Sequence, residues 1–125
     1  MTTRSGFYYK LLENFTANSR LIISDKGDYR MITHIVFFKL KDRSSESVNK
    51  VVNMLAALDG KIPQIKHIEV GIDILHSERS YDFALLTKFD SLDDLQAYQI
   101  HPAHVEVADY IAKVKESSIS VDYEC

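Results

Sequence analysis

The chain has 125 residues, 46% hydrophobic and 26% charged, with four Gly and two Pro; that is one ordinary globular domain, too short for a nucleotide-binding fold plus a substrate domain. A formal net charge of −3 and the lack of any Lys/Arg run leave no field for polyphosphate, so nucleic acid is not an expected partner. The single cysteine, Cys125, cannot pair within the chain, and neither a basic-then-apolar leader nor a run of about eighteen apolar residues occurs, so the expectation is a cytoplasmic protein with no disulfide, signal peptide or membrane partner.

Residues 1–30 read as an N-terminal extension. Ser5 precedes Phe7, Tyr8, Leu11, Leu12 and Phe15 on one helical face, Leu21–Ile23 could extend, and a polar turn-like cluster, Ser24–Asp28, separates this arm from Met31. The domain proper is expected at residues 31–125, with Met31 a possible alternative start. Its first strand is Met31–Phe38. Val48, Val51, Val52, Leu55 and Leu58 then recur at helical spacing up to Gly60, which suits a helix end. Beyond Pro63, Ile68, Val70, Ile72 and Ile74 alternate with polar residues or Gly, as a second strand. Tyr81, Phe83, Leu85, Thr87 and Phe89 alternate likewise, as a third. Ser91 with Asp94 predicts a cap for a short helix carrying Leu92, Leu95 and Tyr98. That helix breaks at Ile100-His101-Pro102 and restarts from Pro102 with Val105, Val107, Ala108, Ile111 and Val114. Ile119, Val121 and Tyr123 alternate with Ser118, Ser120 and Asp122 as a fourth strand.

The order β-α-β-β-α-β predicts an α+β, ferredoxin-like domain: an antiparallel four-stranded sheet with its helices on one face. Strand one is apolar on both faces, with Ile32, Val36, Phe38 and Leu40 on one and Met31, Ile35 and Phe37 on the other. A sheet with one wet face alternates more cleanly. The second face therefore needs a cover, and a homodimer built sheet to sheet is expected.

The segment Tyr98-Gln-Ile-His-Pro-Ala-His104 gathers a phenol and two imidazoles at a helix start. His104 shares a helical stripe with Val107, Ala108 and Ile111, so it is expected to point at the sheet. There it is either a hydrogen-bonded core histidine or a general base, since an imidazole titrates near neutrality. His101, directly before Pro102, reads as a helix-boundary residue. His34 shares a face with Val36 and Phe38, so it can join His104 as a buried polar pair or as a group that polarises a substrate. A metal site from His34, His101, His104 and Glu106 is disfavoured, because Glu106 lies off the His104 face and no strict metal signature occurs. No metal and no cofactor are expected. His67 and His76 sit among polar residues and read as exposed. Gly-x-Gly-x-x-Gly, Walker and Gly-x-Ser-x-Gly motifs are missing, which argues against dinucleotide, P-loop and serine-hydrolase chemistry.

With these residues in view, the chain resembles the stress-responsive A/B barrel (Dabb) family of dimeric α+β barrels. The resemblance covers residues 31–125. It rests on Thr33-His-Ile-Val-Phe-Phe-Lys39, Ile62-Pro, Gly71, Ser80-Tyr-Asp-Phe, Phe89-Asp-Ser91 and Tyr98-Gln-Ile-His-Pro-Ala-His-Val105; the strand and helix pattern alone is shared with antibiotic-biosynthesis-type monooxygenases. A plant member closes a linear polyketide by an aldol reaction without cofactor. Its inward histidine, tyrosine and strand-one histidine match His104, Tyr98 and His34, whereas its third-strand histidine is replaced here by Phe83. The resemblance implies a pocket lined by His34, Val36, Phe38, Phe83, Leu85, Tyr98 and His104, less polar than the cyclase's. Two functions stay open. One is a dimeric binding module for a small apolar or aromatic molecule; the other is a cofactor-independent enzyme, polyketide-cyclase-like or monooxygenase-like, with His104 as base and Tyr98 and His34 hydrogen-bonding the substrate oxygen.

Overall fold

The computed structural model describes residues 30–125; the helix and extended segment expected within residues 1–30 lie outside the described residues. The order of elements is β1 (Ile32–Leu40), α1 (Ser45–Ala56), β2 (His67–Ile72), β3 (Phe83–Phe89), α2 (Leu92–Ile100), α3 (Pro102–Val114) and β4 (Lys115–Glu124). The four strands make one antiparallel sheet in the order β2-β3-β1-β4. This is the ferredoxin-like arrangement expected from the pattern, with the second helical segment divided in two at Pro102.

Register decides which side chains meet the helices. Val36 lies opposite Leu85 and Phe38 opposite Phe83, while Ile68 and Val70 of β2 lie opposite Thr87 and Leu85. Directly paired residues share a face. On β3 the alternation is strict: Phe83, Leu85, Thr87 and Phe89 are buried and the residues between them are not. From the helices, Val48, Val51 and Leu55 of α1, Leu95 and Tyr98 of α2, and Val107 and Ile111 of α3 close the same core. Leu58 and Ile62 follow α1 and are equally buried.

Local chemistry sets the element ends. Ser44 Oγ accepts from Ser47 N, and the Asp42 carboxylate accepts from Ser44 N and Ser47 Oγ, so three donors at the start of α1 are satisfied. These bonds hold the Asp42 carboxyl below its ordinary value. Ser91 Oγ accepts from Asp94 N at 3.1 Å, as the capping pattern predicts. Gly60 has φ +83°, in the left-handed region that the turn after α1 requires. One end of the β1–β3 pair is held by Asp82, a buried residue whose carboxylate accepts from Leu40 N (2.8 Å) and Arg43 Nε (2.9 Å) and whose own N–H donates to the Phe38 carbonyl.

Two expectations need correction. Ile74 does not extend the second strand: pairing with β3 ends at Ile72, Asp73 turns the chain by accepting from His76 N, and Ile74 is left 85% exposed. Leu92 likewise leaves the buried stripe, which in α2 runs through Leu95 and Tyr98 only.

Part of the face away from the helices is apolar and exposed. On β4, Asp122 bonds to His34 on the helix side, so alternation sends Ile119, Val121 and Tyr123 to the other side. They are 51%, 62% and 45% exposed there, and Phe37 of β1 is 42% exposed. The open side of strand one that called for a cover is thus continued by the apolar side of β4.

Candidate functional site

The site is built from the α2–α3 junction. The residue before a proline is pushed out of the helical region, and His101 accordingly has φ −64° and ψ 136°. Its Nδ1 accepts from Ala103 N at 3.0 Å, making it the N-cap of α3; this is the boundary role read from the sequence. Pro102 occupies the first turn, where its missing N–H costs nothing. The break turns α3 back so that His104 lies against Tyr98, with ring centroids 4.3 Å apart.

Tyr98 is completely buried. Phe89 packs on it at 4.9 Å, and His34 approaches edge-on at 6.3 Å. Its phenol oxygen has no hydrogen-bond partner among the described residues. Loss of solvent pushes the phenol up to about 12, so it is protonated at any physiological pH and has a hydrogen to donate.

His104 is half-buried, and its Nδ1 lies 3.0 Å from the Gln99 carbonyl. A carbonyl can only accept, so Nδ1 carries the hydrogen and the neutral ring presents a lone pair at Nε2. Burial is the main cause that lowers its pKa below 6.5; the bond to Gln99 opposes this, and repulsion from His34 and His101 adds to it. His104 is therefore a neutral acceptor at pH 7. His34 turns Nδ1 to the Asp122 carboxylate, which leaves Nε2 as the ring atom free for another partner.

These groups share a cavity of about 190 Å³, lined by His34, Val36, Phe38, Leu55, Leu85, Tyr98, His104, Val107, Ala108, Ile111, Ala112 and Lys115. Of the seven residues expected to line one pocket, six do. Phe83 is not among the walls: it stacks on Phe38 at 5.0 Å and lines a separate, open cleft with Phe37, Arg79 and Tyr81. It can shape the cavity only through Phe38. His67 and His76 are exposed, as read. Among the described residues no three His, Cys, Asp or Glu side chains stand close enough to share a metal ion, and no helix is long and apolar enough to cross a membrane.

Sequence reasoning missed Asp122, the Gln99 carbonyl and Lys115. Asp122 had a signal: in a strand whose apolar side faces outward, the Ser118-Ser120-Asp122 side must face the helices. The Gln99 contact had none, because any residue supplies a carbonyl.

The fold, the dimeric-barrel pattern of apolar faces and the Tyr98–His104 junction together define one class of domain. The chain belongs to the stress-responsive A/B barrel domain family, whose model matches residues 32–125. A stress-response A/B barrel domain-containing protein of Arabidopsis thaliana is 34% identical over 98 residues, which is 74% of this chain and 46% of that protein. The chain thus spans about half the length of that relative. Olivetolic acid cyclase of Cannabis sativa is 28% identical over 95 residues, 74% of this chain and 94% of the cyclase. Among solved structures, a dimeric ferredoxin-like protein from Bacteroides fragilis superposes with a TM-score of 0.67 at 39% identity, covering 76% of this chain and 96% of that one.

Proposed function

We propose that the chain is a cytoplasmic, homodimeric binding module for a small, mainly apolar or aromatic molecule. The observation that carries this reading is the Tyr98 phenol, fully buried and unpartnered on the wall of an apolar cavity. A buried donor without an acceptor costs about 1–3 kcal/mol, and a ligand oxygen seated in the cavity recovers it. Val36, Phe38 and Leu85 supply the apolar walls; His34 and His104 supply acceptors beside the phenol. The exposed apolar part of the sheet supports the dimer: burying roughly 400 Å² of it on each subunit is worth about 10 kcal/mol per subunit before the cost of association, and the Bacteroides fragilis relative is dimeric. A melt of the purified protein against a panel of alkylphenols and aromatic ketones tests the reading. Midpoints that rise with ligand concentration support it; a panel that leaves the midpoint fixed at millimolar concentration counts against it.

A second reading, a cofactor-independent enzyme, is favoured by one observation: the Gln99 carbonyl fixes Nδ1–H and exposes the Nε2 lone pair of a neutral His104. In this reading Nε2 takes a proton from a carbon or hydroxyl next to a carbonyl. The phenol of Tyr98 donates to the oxygen where negative charge gathers, and His34 lies beside the same oxygen, its Nδ1 held by the Asp122 carboxylate. The proton held on His104 is returned to the product. The similarity to a cyclase supports a polyketide-cyclase-like lyase over an antibiotic-biosynthesis-type monooxygenase. Activity that survives EDTA is the expected outcome; activity abolished by EDTA and restored by a divalent ion would overturn this scheme.

A further inference from the structure

One wall residue is unlike the rest: Lys115, at the junction of α3 and β4, lines the cavity together with eight apolar side chains, His34, Tyr98 and His104. Its ammonium donates to Ser118 Oγ at 3.1 Å, a neutral partner. Ser118 stands four residues along β4 from Asp122, the residue that holds His34, and four residues of strand span about 13 Å. The cavity therefore has two polar ends of different character. One is Lys115, a cation on a flexible stem. The other carries the buried, unpartnered phenol of Tyr98 and the free acceptor of His104, with the Asp122 carboxylate close by. Between them Ala108 and Ala112, one turn apart on α3, leave room against Val36 and Phe38.

We infer that the cavity takes an elongated monocarboxylate: an aromatic or alkyl body along Ala108 and Ala112, its carboxylate on the Lys115 ammonium, and a hydroxyl or carbonyl oxygen at its far end between Tyr98 and His104. This deepens the binding reading above and rests on it. The orientation follows from charge. Asp122 repels an anion from the His34 end, while Lys115 offers an ammonium that exchanges a neutral hydroxyl for a carboxylate. The body must be apolar because the walls between the ends offer no hydrogen bond from their side chains.

The test uses the full chain and one pair of probes, para-hydroxyphenyl-pentanoate and its methyl ester, which share body and phenol and differ in the charge and one methyl group at the carboxyl end. Calorimetric titration of the wild-type protein is expected to show the acid bound about ten-fold or more tighter than the ester, as a charge-assisted contact implies. Lys115→Met is expected to abolish that difference, and an unchanged far-ultraviolet circular dichroism spectrum and melting midpoint show that the variant is folded. Equal affinities for acid and ester in the wild type, or a preference that persists in Lys115→Met, overturns the inference and leaves the binding reading standing. If the wild type binds neither probe, the binding reading falls and takes the inference with it.

Discussion

The imidazole of His104 donates from Nδ1 to the carbonyl of Gln99, 3.0 Å away, so one hydrogen bond ties the start of α3 to the end of α2 and fixes which nitrogen faces the cavity. A helix ends with carbonyls that lack partners, and here a side chain from the next helix satisfies one of them. The Nε2 lone pair that His104 turns to the cavity is in this way a by-product of the junction created by Pro102.

Replacing His104 by Ala separates the two functional readings. In a binding module, affinity should fall by about 1–3 kcal/mol as a ligand hydroxyl loses its acceptor. In an enzyme, turnover should fall by roughly 10² to 10⁴ with modest change in binding. Calorimetry and steady-state kinetics on the same preparation read the two outcomes.

The depressed pKa of His104 makes stability depend on pH with a defined sign. The folded protein holds the ring neutral below its ordinary value of 6.5, so on acidification the unfolded chain binds the proton first. Stability is fully present above pH 6.5 and declines as pH falls toward the folded-state pKa. The melting midpoint should therefore drop as pH falls below 6.5, and drop less in His104→Gln. Parallel pH profiles of the two proteins would contradict this.

Tyr98→Phe removes a buried hydroxyl that has no partner among the described residues. The free protein should be unchanged or stabilised by up to about 1 kcal/mol, whereas ligand affinity should weaken about ten-fold or more. A variant that melts well below the wild type would mean that the phenol has a structural partner in solution.

Much of this is legible in the sequence. The β-α-β-β-α-β order, the cap at Ser91, the restart at Pro102 and the inward turn of His104 all follow from short-range rules, periodicity and proline geometry, which are local and written in adjacent residues. What the sequence withheld was long-range. Whether Phe83 or Leu85 borders the cavity depends on how helices sit over the sheet, and a shared face places both equally well. The role of Asp122 needs the knowledge that the apolar side of β4 faces outward, and the bond of His104 to a backbone carbonyl leaves no mark in residue types. Ile74 failed for a related reason: alternation continued past the point where β3 could pair with it.

Asp82 tests the fold independently of function. Asp82→Ala strips the acceptor from Leu40 N and leaves that buried donor bare, a loss of about 1–3 kcal/mol, while Arg43→Ala at the more exposed partner should cost under about 1 kcal/mol. Chemical denaturation of both variants reads the asymmetry; equal losses would contradict the account.

The open sheet face predicts the response to charge. Val121→Glu places a carboxylate among Phe37, Ile119 and Tyr123 in the expected dimer contact, where desolvating it costs several kcal/mol. Sedimentation should show a wild-type dimer and a variant shifted to monomer at micromolar concentration. A monodisperse wild-type monomer would defeat the prediction outright.

Nitrogen-detected NMR of imidazole-labelled protein titrated with para-butylphenol reads whether the Tyr98–His104 cavity receives the ligand. The account predicts that His104 is in the Nδ1–H form at pH 7 and that its Nε2 resonance shifts saturably as the phenol donates to it, while the resonances of His67 and His76 stay fixed. A saturable titration that leaves His104 Nε2 unmoved, or a His104 found protonated at Nε2 in the free protein, would contradict it.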